Sequence, residues 1–118
     1  FSDSNIRTHT LLEALQRPLF MAFRHDQPFN DNHLRPCPML ENPQCLRDIV
    51  NRTGAKSTNL IKEETAEMLC SKCDKFAKEW APRADEIWKN TKHPNPKTQY
   101  YRDTAEAMKE KLDDIVTQ

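Results

Sequence analysis

Gln27-Pro-Phe-Asn-Asp-Asn-His-Leu-Arg-Pro-Cys-Pro-Met-Leu-Glu-Asn-Pro43 brings a thiol, an imidazole and four prolines into one long stretch that reads as loop. Loops of this length without secondary structure are uncommon in a compact domain and are either functional or disordered. Phe29, Leu34, Met39 and Leu40 supply apolar side chains that a disordered tract lacks, so the loop is expected to be ordered and packed across its neighbours. Everything around it reads as helix. The expectation is an all-α fold: one small helical domain over residues 1–118, with about five helices and one long ordered loop over residues 27–43.

Upstream of the loop, Thr10-Leu-Leu-Glu13 has the capping-box spacing, which opens a helix at Leu11. Pro18 interrupts that helix and restarts it at a first helical position, where its missing N–H costs nothing. Leu11, Leu12, Leu15, Leu19, Phe20 and Phe23 form the first apolar block. Downstream, Asn42 is expected to cap a helix with Pro43 in its first turn and Leu46, Ile49 and Val50 on its apolar stripe. Gly54, the only glycine, is placed to take the left-handed conformation that ends it.

A longer helix is expected from about Ile61, with Ala66, Leu69, Cys73, Phe76 and Trp80 on one seam. Pro82 should kink or restart it, because its ring crowds the carbonyl one turn back. Ala84, Ile87 and Trp88 continue the apolar face. His93-Pro-Asn-Pro96 predicts a break, and a last helix from roughly Thr98 carries Tyr101, Ala105, Met108, Leu112 and Ile115.

Composition narrows the function classes. Eighteen basic residues balance eighteen acidic ones, which removes the electrostatic argument for nucleic acid or an anionic membrane as partner. No apolar window is long enough to span a bilayer, and the N-terminal residues lack the basic and apolar regions of a signal peptide. A mean hydropathy of -0.90 leaves narrow helical stripes to build the core, so stability is expected to be thin. The chain begins at Phe1, which is expected of a processed chain or of a piece of something longer. Asn51-Arg-Thr53 matches the glycosylation sequon, a three-residue match that carries little weight.

The chemistry centres on sulfur. Cys70 and Cys73, at i and i+3 on a helix, can reach one metal as thiolates. A tetrahedral zinc or an iron-sulfur cluster needs a further pair, and the loop offers Cys37, with His33 before it or Cys45 after it. Plain packing stands beside this reading: Cys73 as a small buried hydrophobe, Cys70 near the rim and Cys45 inside its own helix. His33 reads as a ligand or general base, or as a solvent-facing loop residue, which is the more frequent case. His9, His25 and His93 read as surface or capping residues, and Arg24, His25, Asp26 and Asp31 as an ion-pair cluster that fixes the shape of the loop. Trp80 and Trp88 read as core. One glycine excludes a glycine-rich phosphate loop, and no catalytic triad order can be read.

Pro18-Leu-Phe-Met-Ala-Phe23, the loop from Gln27 to Pro43, Thr53-Gly-Ala-Lys-Ser-Thr58 and the segment from Leu69 to Trp88 together resemble the C-terminal region of radical S-adenosylmethionine proteins, which are iron-sulfur oxidoreductases. In that family a cluster-binding barrel precedes a cysteine-bearing tail. The resemblance covers most of residues 10 to 90. It implies a C-terminal piece of a larger cytoplasmic enzyme, partnered by the N-terminal barrel of the same protein, which binds S-adenosylmethionine outside this chain. The family's CxxxCxxC is missing here, so no radical chemistry is expected of this piece alone. An auxiliary 4Fe-4S cluster or a structural zinc held by Cys37, Cys70 and Cys73, with His33 or Cys45, is what the resemblance implies for the cysteines. Two readings from other classes remain: a secreted, disulfide-bonded helical protein that binds a small apolar ligand, and an interaction module docking through Phe20, Phe23 and Phe29.

Overall fold

The computed structural model describes residues 1–91 and 96–117, and the side chains of all of these but 96–102. Among the described residues it is all-α, with five helices and no strand: α1 (Leu11–Leu15), α2 (Pro18–Asp26), α3 (Pro43–Thr53), α4 (Ala66–Asn90) and α5 (Pro96–Val116). A single antiparallel bridge ties Ser2 to Lys56, pinning the N-terminal segment beside the α3–α4 connection.

Local chemistry explains the helix ends. At α1 the Thr10 hydroxyl accepts from the Glu13 amide while the Glu13 carboxylate accepts from the Thr10 amide, so the capping box is formed on both sides. Pro18 begins α2 at the first helical position. Gly54 ends α3 at φ 68°, where its amide donates to the Val50 carbonyl.

Some details at the helix ends differ from expectation. The Asn42 side chain does not cap α3; its amide instead donates to the carbonyls of Arg35 and Cys37, holding the loop rather than the helix. α4 opens at Ala66, not near Ile61, because the Thr65 hydroxyl accepts from the Met68 amide and fixes the start there. It also runs through Pro82 without restarting, so packing along its length outweighs the one backbone bond that proline removes. His93, Pro94 and Asn95 of the expected break lie outside the described residues, and α5 opens at Pro96.

α3 packs on α4 and on α2, and α1 lies beside α2. The molecule measures 49 × 37 × 18 Å, so it is about two helix diameters (~10 Å each) thick and has few fully enclosed positions. The buried apolar residues are Ile49, Val50, Ala55, Ala66, Cys70, Ala77, Ala84 and Val116. On α4 this corrects the expected face in part: Ala66 and Ala84 are buried as expected, while Cys70 and Ala77 replace the larger residues between them. The buried seam is Ala66, Cys70, Ala77 and Ala84, one residue round the helix from the bulkier stripe of Leu69, Cys73, Phe76 and Trp80. Small side chains allow the α3 and α4 backbones to approach closely, and the larger residues are left at the margin.

Polar contacts join α5 to the rest, and its Val116 is buried. Arg24 pairs with Asp113, Lys109 donates to the Gln27 carbonyl and Gln16 donates to the Val116 carbonyl. The cluster expected around Arg24 is thereby split: Arg24 turns to α5, while Asp26 pairs with Arg52 and His25.

Candidate functional site

The loop over residues 27–43 is ordered by its own asparagines. The Asn30 side-chain oxygen accepts from the Asn32 amide, and the Asn32 side-chain oxygen accepts from the Leu34 amide, giving two consecutive Asx turns. Asn30 also donates to the Asn42 side chain at 3.0 Å, closing the loop's two ends on each other. The Cys37 amide donates to the Glu41 carboxylate, and the Leu46 amide donates to the Pro38 carbonyl.

The same loop is fastened to the second half of α4. Asn32, the one buried polar residue among those described, donates through Nδ2 to Asp85 Oδ1 at 2.9 Å. Arg35 Nη1 reaches both oxygens of Asp85, and Trp80 Nε1 donates to the Leu34 carbonyl at 2.9 Å. The Asn32 amide, followed by Arg35, holds the Asp85 carboxyl below its ordinary range. His33 is exposed, with its ring 4.8 Å from that of Trp88 at a tilt of 46°. The loop therefore offers His33 and Leu34 outward on a rigid base.

The thiols are distributed differently. All four cysteines are free. Cys37 sits in the loop, where its sulfur accepts from the Met39 and Leu40 amides at 3.4 and 3.3 Å. Cys70 is fully buried, at 0% exposure, and burial pushes its thiol above the ordinary range. Cys73 is half-buried one turn further along α4, the reverse of the rim and core placement expected for this pair. Cys45 lies half-buried on α3, also with a raised thiol. Arg47 of α3 bridges Glu67 and Asp74 on α4, one turn to either side of Cys70. Among the described residues no three His, Cys, Asp or Glu side chains come together as a metal requires. Cys70 and Cys73 remain neighbours on one helix. As arranged, the set of Cys37, Cys70 and Cys73 with His33 or Cys45 does not fit a zinc or an iron-sulfur cluster, which needs converging, deprotonated sulfurs.

An open apolar hollow of about 540 Å³ lies between the N-terminal segment, α1 and α2, and is lined in part by Leu15, Leu19, Phe20, Phe23, Leu46 and Leu69. Phe23 meets Phe29 edge-on at 5.0 Å there, so the aromatics expected to form a docking strip are partly spent on each other. No helix among the described residues is long and apolar enough to cross a membrane.

No protein-family model matches the chain, and neither a curated protein nor a solved structure shows significant similarity to it.

Asn32 and Asp85 are the site residues that sequence reasoning passed over. The signal available for Asn32 was the Asn30-x-Asn32 spacing, which suits successive Asx turns; nothing local marks Asp85 among the charged residues of α4.

Proposed function

We propose that this chain is an accessory C-terminal domain of a radical S-adenosylmethionine-like iron-sulfur oxidoreductase, and that it has no catalysis of its own. The observation that carries the reading is the state of the loop. Residues 27–43 hold the most specific part of the family likeness, and Asn32, Arg35 and Trp80 fasten them to α4. A loop fastened in this way loses little entropy on docking, which suits a segment that closes one end of a barrel over substrate. His33, with Arg35 behind it, faces the partner domain in this reading.

The 4Fe-4S cluster or zinc, and the S-adenosylmethionine bound by the parent outside this chain, stay in the proposal as what the resemblance implies, not as something the thiols supply where they lie. The experiment takes the polypeptide that carries this chain, prepared without oxygen, and compares it with its His33→Ala and Arg35→Ala variants. The reading expects bound iron to be unchanged in the variants while turnover falls. It fails if that polypeptide holds no CxxxCxxC, or if both variants turn over normally. Anaerobic reconstitution of the 118-residue chain alone tests the auxiliary metal separately: uptake that Cys37→Ala and Cys73→Ala lower supports it, and no uptake removes it.

A further inference from the structure

α4 carries two apolar stripes, one buried by the chain and the other covered only in part. The small seam of Ala66, Cys70, Ala77 and Ala84 is buried. The larger stripe of Leu69, Cys73, Phe76, Trp80 and Ile87 keeps to the alternation of four and three by which one helix pairs with another, interrupted once by Arg83. Within it Phe76 is 44% and Ile87 50% exposed, and the rings of Phe76 and Trp80 stack with centroids 6.3 Å apart. Just before α4, Leu60 and Ile61 are bare, at 100% and 99% exposure. Their turn is nevertheless fixed: the Asn59 side chain accepts from the Ile61 and Lys62 amides, and the Ser57 hydroxyl accepts from the Asn59 and Glu64 amides.

We propose that this stripe is a self-association surface, on which α4 pairs antiparallel with α4 of a second copy of the chain. Charge selects the occupant and the register. Lys72, Glu79 and Glu86 recur every seven residues along the open side of the stripe, while the opposite side holds Cys70, Ala77 and Ala84, already buried. In a parallel pair the three charges would face that covered side and find no partner. In an antiparallel pair they face each other, and one register sets Lys72 of each copy against Glu79 of the other. A shift of one heptad one way sets Lys72 against Lys72, and the other way sets Glu79 against Glu79 between two Lys72–Glu86 pairs, so only the Lys72–Glu79 register has attraction without repulsion.

In the favoured register Leu69 meets Trp80 of the second copy and Cys73 meets Phe76. Ile87 reaches the N-terminal end of the second copy's α4, where Leu60 and Ile61 stand. The register thus covers Phe76 and Ile87 of α4 and the turn before it, and leaves Met68 outside. Lys72 has an exposed bridge to Glu64 within its own chain, which is worth little and does not compete strongly.

Sedimentation equilibrium on the chain, from low to high micromolar, tests this. The expected result is a concentration-dependent mass of two chains. Lys72→Glu and Glu79→Lys should each shift the equilibrium toward single chains, and the double variant should recover the dimer, with helix content by circular dichroism unchanged throughout. A mass of one chain, 13.8 kDa, at every concentration overturns the proposal, and so does a dimer that either single variant leaves intact or that the double variant fails to restore. A helix of some other protein as the natural occupant would also leave the chain monomeric and count against it. None of these results bears on the accessory-domain reading, which has its own test.

Discussion

Asn32 Nδ2 donates to Asp85 Oδ1 at 2.9 Å, joining the loop to α4 across 53 residues of chain. Asn32 is buried and fully engaged: its amide, its side-chain oxygen and its side-chain nitrogen all have partners. Asn32→Ala strips a partner from the Leu34 amide and from Asp85 together. We expect a loss of about 1–3 kcal/mol in denaturant unfolding, with faster amide exchange across residues 30–42.

The same contact sets a pH dependence. Asn32, then Arg35, lowers the Asp85 carboxyl from its ordinary 3.8. A group depressed in the folded state contributes stability above its unfolded value and loses it as pH falls through the folded one. The Asp85→Asn variant should therefore be less stable than the parent at neutral pH and converge with it in acid below that value. Urea midpoints measured down the acid limb check this, and a constant difference at all pH values would refute it.

Arg47 predicts a salt dependence. Its side chain is largely covered, and its guanidinium holds Glu67 at 2.7 Å and Asp74 at 2.6 Å, keeping the Asp74 carboxyl low. Arg47→Met keeps much of the aliphatic packing and removes both ion pairs. The stability gap between parent and variant should narrow as salt is raised, because both carboxylates are open to solvent and screened.

Gly54→Ala should cost about 1–2 kcal/mol. The space around a methyl group there is open, with nothing within 4 Å, so the whole cost is the left-handed backbone at φ 68°. Thermal unfolding of the variant measures it.

The four thiols should separate kinetically. Cys70, fully buried with a raised thiol, should react with a thiol reagent far more slowly than Cys37 in the native chain, and all four should react in denaturant.

These residues also show what the sequence could and could not convey. The capping box at Thr10 and Glu13, Pro18 as a first-turn residue and Gly54 as a helix stop depend on near neighbours only, and each was legible. The burial of α4 was not. Period alone selects the stripe with the largest side chains, whereas the assembled fold buries the alanines and Cys70 beside it. Asn42 had two competing uses, cap or loop clasp, and only the assembled loop shows that the carbonyls of Arg35 and Cys37 claim it. The loop's order could be read from its apolar residues; its anchor at Asp85, 50 residues beyond Arg35, could not.

S-adenosylmethionine cleavage tests the functional account most directly. Prepared anaerobically and reduced, the polypeptide that carries this chain should cleave S-adenosylmethionine, and the isolated residues 1–118 should not. Cleavage by the isolated chain, or none by the larger polypeptide with its iron-sulfur cluster assembled, would contradict it.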